Sequence, residues 1–131
     1  MSALLWSDEY SVNSAEIDNQ HKKLFQLAND LTAAVKRGDS SEAFSETMDA
    51  LIDYAYVHFA AEEALMIHLN YPNTPSHLAQ HAYFINKLCD FQAVLPSGKV
   101  GLDREVLEFV ETWISTHILE NDKKYAPYLR P

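Results

Sequence analysis

The sequence predicts an all-α protein, an up-down-up-down antiparallel four-helix bundle with an extended N-terminal arm. Three observations lead to this prediction. Apolar residues recur at alternating steps of three and four along four separate stretches, which is the spacing of helices that bury one face. The 131 residues include only 3 Gly and 5 Pro, which argues against a turn-rich β-sandwich. The connections between the stretches are short, which favours antiparallel neighbours.

The four apolar stripes span residues 17–35, 44–69, 77–95 and 106–117. Gly38 is expected to end the first helix, and Ser40 or Ser41 to cap the second. Thr74 is expected to cap the third helix, with Pro75 at its first position. Asp103 is the expected cap of the fourth helix. The whole chain, residues 1–131, is therefore predicted to be one domain, with an arm (1–17) anchored by Trp6, a helical bundle (18–125) and a tail (126–131).

The composition excludes several classes of protein. With 47% apolar and 22% charged residues the chain is globular rather than disordered. No apolar stretch approaches the roughly 18 residues of a membrane span, so no membrane insertion is expected. The formal charge of -9 argues against nucleic acid as a partner. A single cysteine, Cys89, suits a reducing compartment, so we predict a cytoplasmic protein. We also predict a monomer, because burial of the four stripes leaves no large apolar surface.

Histidines are concentrated on the apolar stripes. Five of the six occupy such positions: His21, His58, His77, His81 and His117. One such histidine would be read as an ordinary hydrogen-bonded core residue. Five are different, because each buried ring nitrogen needs a partner and a small bundle supplies few. A metal ion would be a partner for one nitrogen of each ring.

The spacing of the polar residues supports metal coordination. His77 and His81 are four residues apart and share a helix face, as do His58 and Glu62. Glu62 would be costly to bury unpaired, whereas its neighbour Glu63 is expected to point into solvent. His117 and Asp122 are five residues apart, so on a regular helix their side chains point about 140° away from each other. Both reach one centre only if the helix distorts or ends there.

All seven polar residues fall at one end of the predicted bundle, because the starts of helices one and three lie beside the ends of helices two and four. Five imidazoles and two carboxylates are too many for one zinc ion and too rich in nitrogen for Ca²⁺ or Mg²⁺. They fit two transition-metal ions bridged by both carboxylates and one solvent-derived oxygen. The ion with three histidines would then be closed, with all six coordination positions filled. The ion with two would be open, with five positions filled and one left for a small diatomic ligand.

Four segments resemble the hemerythrin family, specifically the bacterial single-domain hemerythrins: IDNQHKKLF (17–25), HFAAEEALM (58–66), HLAQH (77–81) and WISTHILEND (113–122). The resemblance implies two non-haem iron ions (Fe2+/Fe3+) with an oxo or hydroxo bridge; the choice of iron over manganese rests on it alone. It implies that His77, His81 and His117 bind the closed iron, that His21 and His58 bind the open one, and that Glu62 and Asp122 bridge them.

The same resemblance implies reversible binding of dioxygen at the open iron, for transport, storage or delivery to an oxygen-consuming enzyme, and no enzymatic activity. The family's oxygen pocket maps onto five apolar residues, Leu24, Phe59, Trp113, Ile114 and Ile118. Two alternatives stay open: an oxygen or redox sensor that acts on a separate partner, and a di-iron enzyme that acts on peroxide or nitric oxide.

Five tyrosines could donate a hydrogen bond to a metal-bound carboxylate, and the sequence does not choose among them: Tyr10, Tyr54, Tyr56, Tyr83 and Tyr125. His68 lies off the stripe, and we expect it at a helix end on the surface. Cys89 is expected to be a small packing residue rather than a nucleophile.

Overall fold

Four long helices form the protein: α1 (Ala15–Arg37), α2 (Ser41–His68), α3 (Thr74–Val94) and α4 (Leu102–His117). The computed structural model describes residues 4–129, and within that range it contains no strand. Helix α1 packs against α2 and α4, and α3 packs against the same two helices. Because short connections reverse the chain between them, neighbours are antiparallel, and the predicted up-down-up-down bundle is confirmed. No helix within residues 4–129 is both long and apolar enough to cross a bilayer.

Serine caps fix the starts of the first two helices. The Ser14 hydroxyl accepts a hydrogen bond from the Ile17 N–H at 3.2 Å, so α1 starts at Ala15, within the segment assigned to the arm. The Ser40 hydroxyl accepts from the Ala43 N–H at 3.1 Å and caps α2, as predicted. Gly38 has a φ of 70° and ends α1 in the left-handed conformation that glycine adopts without strain.

The other two helix starts differ from the prediction. Thr74 is not the cap of α3, because its hydroxyl donates instead to the Tyr71 carbonyl at 2.6 Å; the cap position is Asn73. Asp103 is not the cap of α4: the cap position is Gly101, two residues earlier, with a φ of 80°, and the helix starts at Leu102. Asp103 lies in the first turn, where its negative charge is favourable beside the free N–H groups.

The arm is attached to the bundle at several points. The Leu4 N–H donates to Asn29 Oδ1 at 2.8 Å, and Asn29 Nδ2 donates to the Leu4 carbonyl at 2.9 Å. Trp6 packs against Tyr10 and Phe25, with ring centroids 5.7 Å apart in both pairs, which confirms its predicted anchoring role. Within residues 4–14 the chain is irregular apart from one 3-10 turn, Asp8–Tyr10, and the predicted tail begins with another, Ala126–Tyr128.

Two apolar clusters fill the bundle. The larger one extends from Leu24 and Phe59 through the middle of all four helices. The smaller one closes one end of the bundle and consists of Val12, Ile17, Met66, Tyr71, Tyr125 and Ala126. His21 lies between Ile17 and Leu24 along α1, and Glu62 lies between Phe59 and Met66 along α2. The polar residues of the bundle therefore form a layer between the two clusters.

Two minor predictions have different outcomes. His68 is exposed at the last position of α2, as predicted. Cys89 is exposed, so the prediction that it is a small packing residue is wrong. The physical reason is its position on α3: Leu88 occupies the inward-facing position and is fully buried, which turns the next residue outward.

Candidate metal centre

All seven residues singled out by the sequence meet in one buried layer. Their exposed fractions run from 0% to 4%: His21, His58, Glu62, His77, His81, His117 and Asp122. His21 comes from the second turn of α1, and His58 and Glu62 come from the second half of α2. His77 and His81 come from the start of α3. The antiparallel arrangement places these helix regions side by side.

Asp122 reaches the layer because the helix changes its pitch. Residues Ile118–Asp122 form a π-helical turn that continues α4. A π-turn closes hydrogen bonds from residue i to i+5 instead of i+4, so residues five apart come to one face. His117 Nε2 consequently lies 3.0 Å from Asp122 Oδ1. The distortion that the spacing required is therefore present.

Glu62 divides its two oxygens between two sets of histidines. Its Oε1 lies 3.2 Å from His77 Nε2 and 2.9 Å from His81 Nε2. Its Oε2 lies 3.4 Å from His21 Nε2 and 3.5 Å from His58 Nε2. One carboxylate thus faces both sets at once, as a bridging ligand does.

Asp122 also divides its two carboxylate oxygens between the two sets of histidines. Its Oδ1 lies 2.8 Å from His77 Nε2 and 3.0 Å from His117 Nε2, and its Oδ2 lies 3.0 Å from His21 Nε2. The ligand atoms therefore form two groups, each within 4.8 Å across. One group holds His77, His81 and His117, the other holds His21 and His58, and both contain Glu62 and Asp122.

The residues present fit a pair of cations. His81 Nε2 and Asp122 Oδ1 are buried without a hydrogen-bond partner, although each has an oppositely charged or polar neighbour within 3.0 Å. Such atoms approach one another at angles unsuited to hydrogen bonding, as expected if they converge on a third atom. His77 Nε2 and His117 Nε2 face each other at 3.0 Å, which suits a shared cation between them. Imidazole nitrogen with carboxylate oxygen is a donor set that suits transition-metal ions.

Without a metal, protons are held strongly in the layer. Burial by itself lowers the pKa of His21 and His77, but the close carboxylates of Asp122 and Glu62 outweigh it and raise both pKa values to about 9. Burial by itself raises the pKa of Glu62, but the close imidazoles around it hold that pKa well below its usual value. The layer therefore concentrates negative charge that protons or metal ions neutralise.

Three further residues contact the layer from outside; the sequence indicated one of them, Tyr125, among five candidates, and did not indicate the other two. Gln20 Oε1 lies 2.7 Å from His58 Nδ1, and Glu63 Oε2 lies 2.9 Å from His81 Nδ1. The Tyr125 hydroxyl donates to Glu62 Oε2 at 2.8 Å. The prediction that Glu63 points into solvent is wrong: its side chain is 30% exposed and spans from α2 to α3. Of the five candidate tyrosines, the structure selects Tyr125.

Apolar side chains cover the layer on its inner side. The residues predicted to form an oxygen pocket all belong to, or pack against, the larger cluster: Leu24, Phe59, Trp113, Ile114 and Ile118. The Phe59 ring stacks on His81 at 3.8 Å, and the Trp113 ring stacks on His117 at 4.3 Å. The structure thus places Phe59 and Trp113 against two of the histidines, and the role of the five residues in oxygen binding stays a prediction.

Comparisons with known proteins agree with this geometry. The family model described as "Hemerythrin HHE cation binding domain" matches residues 12–129. The bacteriohemerythrin of Methylococcus capsulatus is 32% identical over 130 residues, which cover 98% of each protein. The bacteriohemerythrin of Clostridium acetobutylicum is 33% identical over 125 residues, which cover 92% of this chain and 97% of the relative.

Solved structures show the same similarity. The crystal structure of a wild-type hemerythrin superposes with a TM-score of 0.87 at 30% identity and covers 98% of both chains. The crystal structure of a hemerythrin mutant superposes with a TM-score of 0.88 at 31% identity, again over 98% of both chains. Sequence and structure agree over nearly the whole length, and the chain belongs to the hemerythrin family.

Proposed function

We propose that this protein binds dioxygen reversibly at a non-haem di-iron centre, and that it transports or stores oxygen or delivers it to an oxygen-consuming enzyme. One observation carries the proposal. Glu62 and Asp122 both lie between two groups of imidazoles, one of three and one of two, and each carboxylate turns one oxygen toward each group. Such unequal groups hold two ions with different numbers of ligands, so that one ion keeps room for a small molecule.

The proposed ligand assignment follows the two groups. His77, His81 and His117 would bind one iron, and His21 and His58 would bind the other. Glu62 and Asp122 would bridge the pair, together with an oxo or hydroxo group. When bound, the iron pair would supply a free coordination position on the two-histidine side and the electrons that hold dioxygen there.

The protein itself contributes a dry and preorganised environment. Phe59 and Trp113 cover two of the imidazoles with stacked rings, and Leu24, Ile114 and Ile118 are all at most 3% exposed. These side chains exclude water, which would otherwise promote the release of bound dioxygen in a reduced form. The Tyr125 hydroxyl fixes the orientation of Glu62.

The donor set favours binding over catalysis. Ferritin-like di-iron proteins use a glutamate from each of two helices and a Glu-x-x-His motif from each of the other two. Here the layer offers five imidazoles, which are neutral when they bind a metal ion, and two carboxylates. Imidazoles donate less negative charge, so they stabilise highly oxidised iron less well. We therefore propose a binding protein rather than an enzyme.

Metal analysis with visible spectroscopy tests the proposal. The protein, loaded with iron without oxygen, should contain two irons per chain. Its visible spectrum should change on exposure to air, return on deoxygenation, and change again on re-aeration. Retention of one metal per chain, or steady consumption of peroxide or nitric oxide with a reductant in place of reversible binding, would contradict it. The variant His68→Ala serves as a control, because this sixth histidine is exposed and outside the layer.

The cytoplasmic location and the monomeric state are part of the same proposal. Light scattering during size-exclusion chromatography tests the second: we expect the mass of one 14.9 kDa chain. A stable dimer would contradict the expectation that burial of the apolar stripes leaves no large apolar surface.

A further inference from the structure

Two imidazoles of the layer contact a protein oxygen through their outer nitrogen, and the two oxygens differ in charge. His81 Nδ1 lies 2.9 Å from a carboxylate oxygen of Glu63. His58 Nδ1 lies 2.7 Å from the amide oxygen of Gln20. An ionised carboxylate only accepts hydrogen bonds, so Nδ1 of His81 carries the proton and donates it to Glu63. The inner nitrogen of His81, Nε2, is then left with its electron pair.

The geometry around His81 holds this contact in place. The ring is 2% exposed and lies nearly parallel to Phe59, at an interplanar angle of 5°. Glu63 reaches the ring from α2, in the wall of an open groove of about 380 Å³ between α2 and α3. Because its side chain is 30% exposed, water solvates one side of the carboxylate while the other side faces the ring.

We propose that Glu63, acting through His81, makes the two metal ions unequal in redox potential. A carboxylate on the outer nitrogen draws the proton toward itself and makes the inner nitrogen a stronger donor. A stronger donor stabilises Fe3+ over Fe2+. The ion held by His77, His81 and His117 is therefore oxidised more easily than its neighbour, whose ligand His58 faces the neutral Gln20.

This inference rests on the proposed di-iron function, and it makes Glu63 a positioning residue rather than a ligand. A simpler role is a tether that only orients His81. The variant Glu63→Gln separates the two roles, because an amide oxygen still accepts from Nδ1 but carries no charge. The matched control is Glu46→Gln, an exposed glutamate on the same helix. At 1.5 Å per residue it lies about 25 Å away.

The experiment measures iron content and midpoint potential of the wild type and of both variants. We expect Glu63→Gln to keep two irons and to show about a tenfold smaller preference for Fe3+ at one ion, which raises one midpoint potential by about 59 mV. Glu46→Gln should match the wild type. Equal potentials in Glu63→Gln and Glu46→Gln would overturn the proposal, whether both variants match the wild type or both differ from it by the same amount.

A second variant covers the case in which Glu63→Gln loses iron. Gln20→Glu places a carboxylate on His58, and we expect it to lower a midpoint potential by a similar amount. An unchanged potential in Gln20→Glu would overturn the proposal. The two hypotheses fail separately. A wild type that does not bind two irons refutes the proposed function, whereas a two-iron wild type with an insensitive Glu63→Gln variant refutes only this inference.

Discussion

The hydroxyl of Tyr125 supports the centre at a point where its loss can be measured. Tyr125 is fully buried, and its hydroxyl donates to Glu62 Oε2 at 2.8 Å. Burial, together with the nearby carboxylates, raises the pKa of Tyr125 far above its usual value, so the hydroxyl keeps its proton at every working pH. Tyr125→Phe removes this donor and leaves the ring. A hydrogen bond to a charged group contributes about 1.5–3 kcal/mol, so we expect a loss of about 2 kcal/mol.

Urea and thermal unfolding of the metal-free protein at pH 7 measure this loss. About 2 kcal/mol corresponds to about a 30-fold change in the folded-to-unfolded ratio, and for a domain of this size to a fall in Tm of about 8 °C. Tyr128→Phe is the control, because Tyr128 packs on the same aromatic cluster but is 42% exposed. If Tyr125→Phe unfolds within about 0.5 kcal/mol of Tyr128→Phe, the hydroxyl does not support Glu62 and the reasoning is refuted.

Four other predictions concern the stability at high pH, the protons displaced by iron, one proposed ligand and the arm. In the metal-free protein the pKa values of His21 and His77 are about 9, above the ordinary 6.5. Their contribution to stability is therefore complete below about pH 6.5 and is lost as the pH rises through about 9. The free energy of unfolding should accordingly be smaller at pH 9.5 than at pH 6.5. Iron must displace both protons at pH 7, so the calorimetric enthalpy of Fe2+ binding should depend on the ionisation enthalpy of the buffer; no dependence would refute this. His77→Ala should lose iron and stability, whereas His68→Ala should lose neither; two irons and an unchanged Tm in His77→Ala would contradict the assignment. Asp18→Ala removes hydrogen bonds from Ser11 Oγ and the Val12 N–H, and should cost about 2 kcal/mol and speed amide exchange at Val12, whereas the exposed Asp30→Ala should do neither.

The helices and the seven polar residues could be predicted because the information is local. A stripe of apolar residues at steps of three and four states which face of a helix is buried, whatever it packs against. A histidine or glutamate on that stripe must then enter the interior, where it needs a partner. The antiparallel order follows from the short connections, and it brings His21 level with Glu62 without any knowledge of side-chain contacts.

The helix starts and the turn after α4 were harder to predict from the sequence. Threonine is a residue type that often caps helices, yet the Thr74 hydroxyl donates its hydrogen bond to the Tyr71 carbonyl instead. The spacing of His117 and Asp122 required a distorted helix or a helix end, but it did not say which. The π-turn at Ile118–Asp122 is the distorted alternative, and it lies where the chain contacts the 3-10 turn of the arm.

Sequence alone therefore determined the bundle, the inward-facing imidazoles and the two carboxylates among them, because helical periodicity acts over a few residues. Tertiary structure alone decided which tyrosine reaches Glu62 and which side chains face the outer nitrogens of His58 and His81. These contacts join residues 63, 38 and 18 positions apart. They depend on the rotation and offset of one helix against another, and packing across the whole core sets both.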